Sequence, residues 1–139
     1  MEEKYIKLLN SAFEKEYNDV FLYLREAELF KKKIVLGEKI ERIFSDFSAM
    51  ELRHADRVAS KLIELGAKPK WVFRPLEGSN SLREVLERHV VSEMAAIHIY
   101  NDIISICTDY DFKIILKGIR ENEEEHLAKV SRFLKKLKA

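Results

Sequence analysis

The sequence predicts an all-α fold, a four-helix bundle, and three observations carry that expectation. Apolar residues recur at steps of three and four along four long segments, the spacing of one helix face. Both prolines, and Gly37, Gly66 and Gly78, fall between those segments. Charged residues make up 35% of the chain, enough to cover the outer faces of amphipathic helices. At 139 residues the chain is long enough to bury a real core, and it is read as a single domain spanning residues 1–139.

The first segment carries the stripe Leu9, Phe13, Glu16, Val20, Tyr23, Ala27, Phe30, and Gly37 ends it. The second carries Ile40, Phe44, Phe47, Glu51, His54, Val58, Leu62, Leu65. The stretch GAKPKWVFRPLEGSNS (66–81) holds both prolines and separates the second segment from the third. Ser81 followed by Glu84 reads as a capping box opening the third helix. That helix carries Leu82, Leu86, His89, Glu93, Ala96, Tyr100, Ile103, Cys107. CTDYD (107–111) makes the last joint, and the fourth stripe is Phe112, Leu116, Ile119, Glu123, His126, Val130, Phe133, Leu137.

Every stripe is interrupted near its middle by glutamate. Segments one and three read Glu-x6-Tyr (Glu16/Tyr23 and Glu93/Tyr100), and segments two and four read Glu-x2-His (Glu51/His54 and Glu123/His126). In ENEEEHL (121–127) only Glu123 shares the stripe with His126; Glu121, Glu124 and Glu125 are expected to face water. The interruptions also fall at one height. Glu16 lies about 16 residues before its segment ends and Glu51 about 14 after the next begins, offsets that agree to roughly 3 Å at helical rise in an antiparallel pair. Glu93 and Glu123 match in the same way.

Four carboxylates in one buried layer cannot all stay ionised unaided, because like charges in low dielectric raise one another's pKa and unpaired buried charge is costly. Two divalent cations carry the charge that balances four carboxylates, and two neutral imidazoles complete the coordination. A carboxylate-rich set with one histidine per ion suits iron, with manganese or zinc as alternatives. The bland alternative is a bundle with buried salt bridges, but no Lys or Arg shares the layer.

This pattern resembles the ferritin-like di-iron superfamily, in which two helices each give a Glu and two give a Glu-x-x-His pair. It looks most like the rubrerythrin and erythrin branch, with bacterioferritin close behind. The resemblance implies that Glu16 and Glu93 each serve one metal, that Glu51 and Glu123 bridge the pair, and that His54 and His126 are terminal ligands. Tyr23 and Tyr100 match tyrosines that hydrogen-bond the ligand carboxylates. The family's long crossover between helices two and three is matched by residues 66–81, whose reach of about 50 Å exceeds the roughly 38 Å of a 25-residue helix.

Departures from the family shape the expected activity. Many rubrerythrins carry a further Glu three residues after the helix-three ligand, where this chain has Ala96. A haem-binding Met follows the helix-two Glu in bacterioferritin, where this chain has Leu52, so no haem is expected. One cysteine provides no rubredoxin-type site, so electrons are expected from an external, rubredoxin-like donor protein. The short fifth helix common in cage ferritins is not expected here. The implied function is a di-iron oxidoreductase that reduces hydrogen peroxide to water. A ferroxidase that stores iron and a redox-silent metal-binding module are the alternatives.

Lys plus Arg is 25 and Asp plus Glu is 24, a balance that gives no nucleic-acid footprint. The start MEEKYIKLLN lacks a signal-peptide core and no apolar run reaches about 18 residues, so no membrane association and a cytoplasmic location are expected. His89 reads either as a neighbour of the ligand set or as a core histidine, His98 as a boundary residue, and Cys107 as a small core residue. Trp71 is expected to anchor the crossover. Leu22, Leu24, Ile97, Ile104 and Ile106 exceed what one stripe needs, which suggests a subunit interface, most simply a homodimer.

Overall fold

The structure, a computed structural model, describes residues 2–32, 37–72 and 81–138. Phe73, the rest of the connection through Asn80, and Lys33 lie outside the described residues. Four helices occupy the predicted segments: α1 (Glu2–Lys31), α2 (Gly37–Glu64), α3 (Leu82–Ile106) and α4 (Tyr110–Lys138). Among the described residues there is no strand.

Several helix ends have a local cause. α1 opens on Glu2 and Glu3 and closes on Lys31, which matches the helix dipole at both ends. α2 ends in a Schellman motif: Gly66 N–H bonds the Ile63 carbonyl, Ala67 N–H bonds the Leu62 carbonyl, and Gly66 takes φ +80°, a conformation that disfavours any side chain. Ser81 caps α3, its hydroxyl accepting from Glu84 N–H at 3.3 Å. Asp109 caps α4 in the same manner, its carboxylate accepting from Phe112 N–H at 3.2 Å.

The chain divides into two compact units. The first, called the α1–α2 unit, comprises Leu9–Asn80. Its core buries Leu9, Phe13, Val20, Tyr23, Ala27 and Phe30 of α1 with Ile40, Phe44, Phe47, Val58 and Leu62 of α2. The Tyr23 ring packs against Phe44 and Phe47 at centroid distances of 5.5 and 5.3 Å. Three cross-links fix an antiparallel register: Lys31 to Glu41, Ser48 Oγ to the Val20 carbonyl, and His54 to Glu16. The start of the crossover lies along α1. Asn10 exchanges two hydrogen bonds with the Lys70 backbone, and Trp71 packs on Tyr17 (4.9 Å, edge-on) and Phe21 (5.6 Å, stacked), as expected of an anchor.

The second unit comprises Met1–Leu8 and Ser81–Ala139 and is called the α3–α4 unit. A three-residue joint makes α3 and α4 an antiparallel hairpin, and Arg120 of α4 donates to Asn101 of α3 at 2.8 Å. The unit buries Leu86, Ala96, Tyr100 and Ile103 with Phe112, Leu116, Ile119 and Val130. Tyr5 ties the first turns of α1 to the end of α3 through a 3.5 Å contact with Cys107 Sγ. Cys107 is buried, as a core residue should be.

The stripes bury their middles and loosen at their ends. Leu65 and Leu82 are only half-buried and Leu137 is 43% exposed, because terminal turns have fewer neighbouring residues to cover them. Of the apolar residues expected at a subunit interface, Ile104 is instead buried within its own chain, and Leu24 is exposed.

Candidate metal centre

Helical spacing assembles the site's donors. Residues three apart on a helix lie on one face, so Glu51 and His54 of α2 project together, as do Glu123 and His126 of α4. In the α1–α2 unit, the antiparallel register brings Glu16 to the same level. One donor atom each from Glu16, Glu51 and His54 falls in a cluster whose members lie within 4.8 Å of one another. His54 Nδ1 is 2.7 Å from Glu16 Oε2 and 3.9 Å from Glu51 Oε1. In the α3–α4 unit, donor atoms of Glu93, Glu123 and His126 cluster within the same limit. The sequence-predicted ligands thus form two triads of equal composition.

All four glutamates have no solvent exposure, and the two histidines are buried. Pairs of carboxylates in so dry a setting repel each other and lack water to screen them. A divalent cation removes both costs. Its fit can be judged from the donor spacing: donors about 2.1 Å from one ion stand roughly 3 Å apart at a right angle and about 4.2 Å apart when opposite. The His54 distances of 2.7 and 3.9 Å fall close to that range. The chemistry fits as well. Carboxylates with one imidazole suit a first-row transition metal, and Nδ1, once deprotonated, has its lone pair directed among the carboxylate oxygens. When Nδ1 carries a proton, it donates to Glu16 instead.

Tyr23 and Tyr100 lie two turns beyond Glu16 and Glu93 on the same faces and are fully buried. Glu121, Glu124 and Glu125 are exposed, and Arg120 pairs with Glu124 at 3.6 Å. His89 is buried, with 1% exposure. His98 corrects the reading of a boundary residue: it is exposed and pairs with Asp102 at 3.5 Å. The stripe reading left out two buried carboxylates of α1, Asp19 and Glu26. Each follows a stripe residue by three positions (Glu16 and Tyr23), a spacing that could have flagged them. Asp19 is held by Lys15 at 3.5 Å.

Comparison with known proteins gives a consistent picture. A model of the ferritin-like domain matches residues 6–139. No curated protein matches the sequence. Among solved structures, a ferritin-like, diiron-carboxylate protein from Bacillus anthracis superposes with a TM-score of 0.88 at 21% identity, covering 95% of this chain and 96% of that one. A dodecameric thioferritin, the bacterioferritin-related protein from Bacteroides fragilis, superposes with a TM-score of 0.85 at 24% identity, covering 97% of this chain and 86% of that one. At such identities the likeness is one of fold: all-α, with the four helices of the ferritin-like fold. No helix among the described residues is long and apolar enough to cross a membrane.

Proposed function

The chain belongs to the ferritin-like domain family, and on that premise we propose that its two triads close on a pair of metal ions within one domain spanning residues 1–139. Glu16 and Glu93 would each hold one ion, Glu51 and Glu123 would be shared by the pair, and His54 and His126 would complete the ligand set. The observation that carries this reading is the pair of fully buried Glu–Glu–His triads, equal in composition and each with a compensating cation to gain. Iron is the proposed metal, with manganese or zinc as alternatives.

The proposed reaction is reduction of hydrogen peroxide: one peroxide, two electrons and two protons give two waters. A bound iron pair supplies the electrons and the Lewis acidity. The chain's own residues do the rest. The buried Tyr23 and Tyr100 orient the ligand carboxylates and hold a proton at the phenol oxygen, and the apolar core around them excludes bulk water. Electrons return one at a time from an external, rubredoxin-like donor protein. The setting proposed is a cytoplasmic homodimer.

The test is a peroxide titration of protein loaded with iron in the absence of oxygen. One peroxide should oxidise two irons per chain, with an optical change that saturates at that ratio. Iron that binds as a pair and is left unoxidised by peroxide overturns the reductase reading in favour of a redox-silent module. A second reading, ferroxidase and iron storage, is favoured by one observation: the Bacteroides fragilis neighbour is bacterioferritin-related and dodecameric. Light scattering separates the two, since a dimer cannot enclose a mineral and a closed shell can.

A further inference from the structure

The two triads are built alike but are not surrounded alike. When Glu93 and Tyr100 of α3 are aligned with Glu16 and Tyr23 of α1, Leu86 falls on Leu9, both fully buried. The same alignment sets His89 against Ala12, each 1% exposed. One turn before its glutamate, then, α1 offers a methyl group and α3 offers an imidazole, in equally dry surroundings.

We infer that His89 is a positioning residue for Glu93, and that it makes the metal position of the α3–α4 triad chemically distinct from that of the α1–α2 triad. The inference rests on the dinuclear reading above. Helical side chains tilt toward the N-terminus, so the Glu93 carboxylate lies over the turn that carries His89. Residues four apart on one face have Cβ atoms about 5–6 Å apart, which an imidazole and a carboxylate span with a hydrogen bond. An N–H of His89 donating to one Glu93 oxygen leaves the other directed at the metal, with its rotation restricted. Contacts of this kind behind a ligand set its orientation and basicity. The α1–α2 triad has no equivalent from Ala12, which carries no donor. On the other side of the glutamates the asymmetry reverses, Asp19 on α1 aligning with Ala96 on α3, so the two positions differ on both flanks.

The inference is tested by titrating the metal-free full chain with cobalt(II), followed by calorimetry and visible absorption. Wild-type protein should bind two ions in distinguishable steps. His89→Ala should weaken one step about 10–100-fold and leave the other in place. His89→Gln, which keeps an N–H donor, should recover most of the loss, which a space-filling role would not explain. His89→Leu fills the site without a donor and replaces the alanine variant if that one fails to fold. Combined with Glu93→Gln, the His89 change should cost nothing further, since it acts through Glu93. Two undiminished steps, equal weakening of both, or losses that simply add would overturn the inference and leave the dinuclear site standing. A wild-type chain that binds no cobalt overturns both.

Discussion

At the scale of single residues, Glu51 is where the proposed site sets stability against metal binding. Its side chain has no solvent exposure and shares its cluster with Glu16. Without metal, that proximity is a cost that glutamine, nearly the same shape, does not carry. Metal-free Glu51→Gln is therefore expected to be more stable than metal-free wild type at neutral pH, by about 1–2 kcal/mol. Metal should reverse the order, because a bound ion at 100 times its Kd adds about 2.7 kcal/mol to the wild type alone. Denaturant unfolding with a chelator and then with excess metal checks both signs. Much of this was legible in the sequence, since the phase that puts Glu123 inside and its three acidic neighbours outside follows from helical geometry alone. Asp19 and Glu26 were not legible, because a one-residue-per-turn stripe misses its own flanks. Their burial depends on how widely the neighbouring elements cover α1.

At the scale of elements, the helix boundaries were largely written in the sequence, and the structure adds the reason for several of them. Gly37 opens α2 where a Cβ would collide with the backbone carbonyl oxygens of Phe30 and Lys31. Backbone cannot give way as a side-chain tip can, so Gly37→Ala should cost about 1–3 kcal/mol, read as a lower unfolding midpoint. Asp109→Ala removes the α4 cap and should cost about 1 kcal/mol. Beside Gly37, the hydrogen bond and charge of Glu41 raise the pKa of Lys31 above its ordinary 10.5. The pair's contribution is fully present below that ordinary value and disappears as pH rises through the raised one. Lys31→Met should thus lower the melting temperature at neutral pH, and the difference should vanish in strong alkali. What the sequence did not give was how far each stripe stays covered. Leu137 continues the pattern of α4, yet its outer turn is exposed.

At the scale of the whole molecule, the ferritin-like fold was legible because three breaks and four interrupted stripes leave few other arrangements. The assembly was not legible. Exposed apolar residues such as Leu24, Leu52 and Ile63 say only that a surface is available, and surface apolarity alone does not select a partner. The proposed site, six buried side chains from four helices holding a pair of ions, can be checked by its metal content. Wild-type chain and the Glu51→Gln/Glu123→Gln double variant, both folded and both loaded with iron in the absence of oxygen, are compared by elemental analysis after desalting. Two irons per wild-type chain and next to none in the variant are expected. Equal iron in the two proteins would contradict the proposed site.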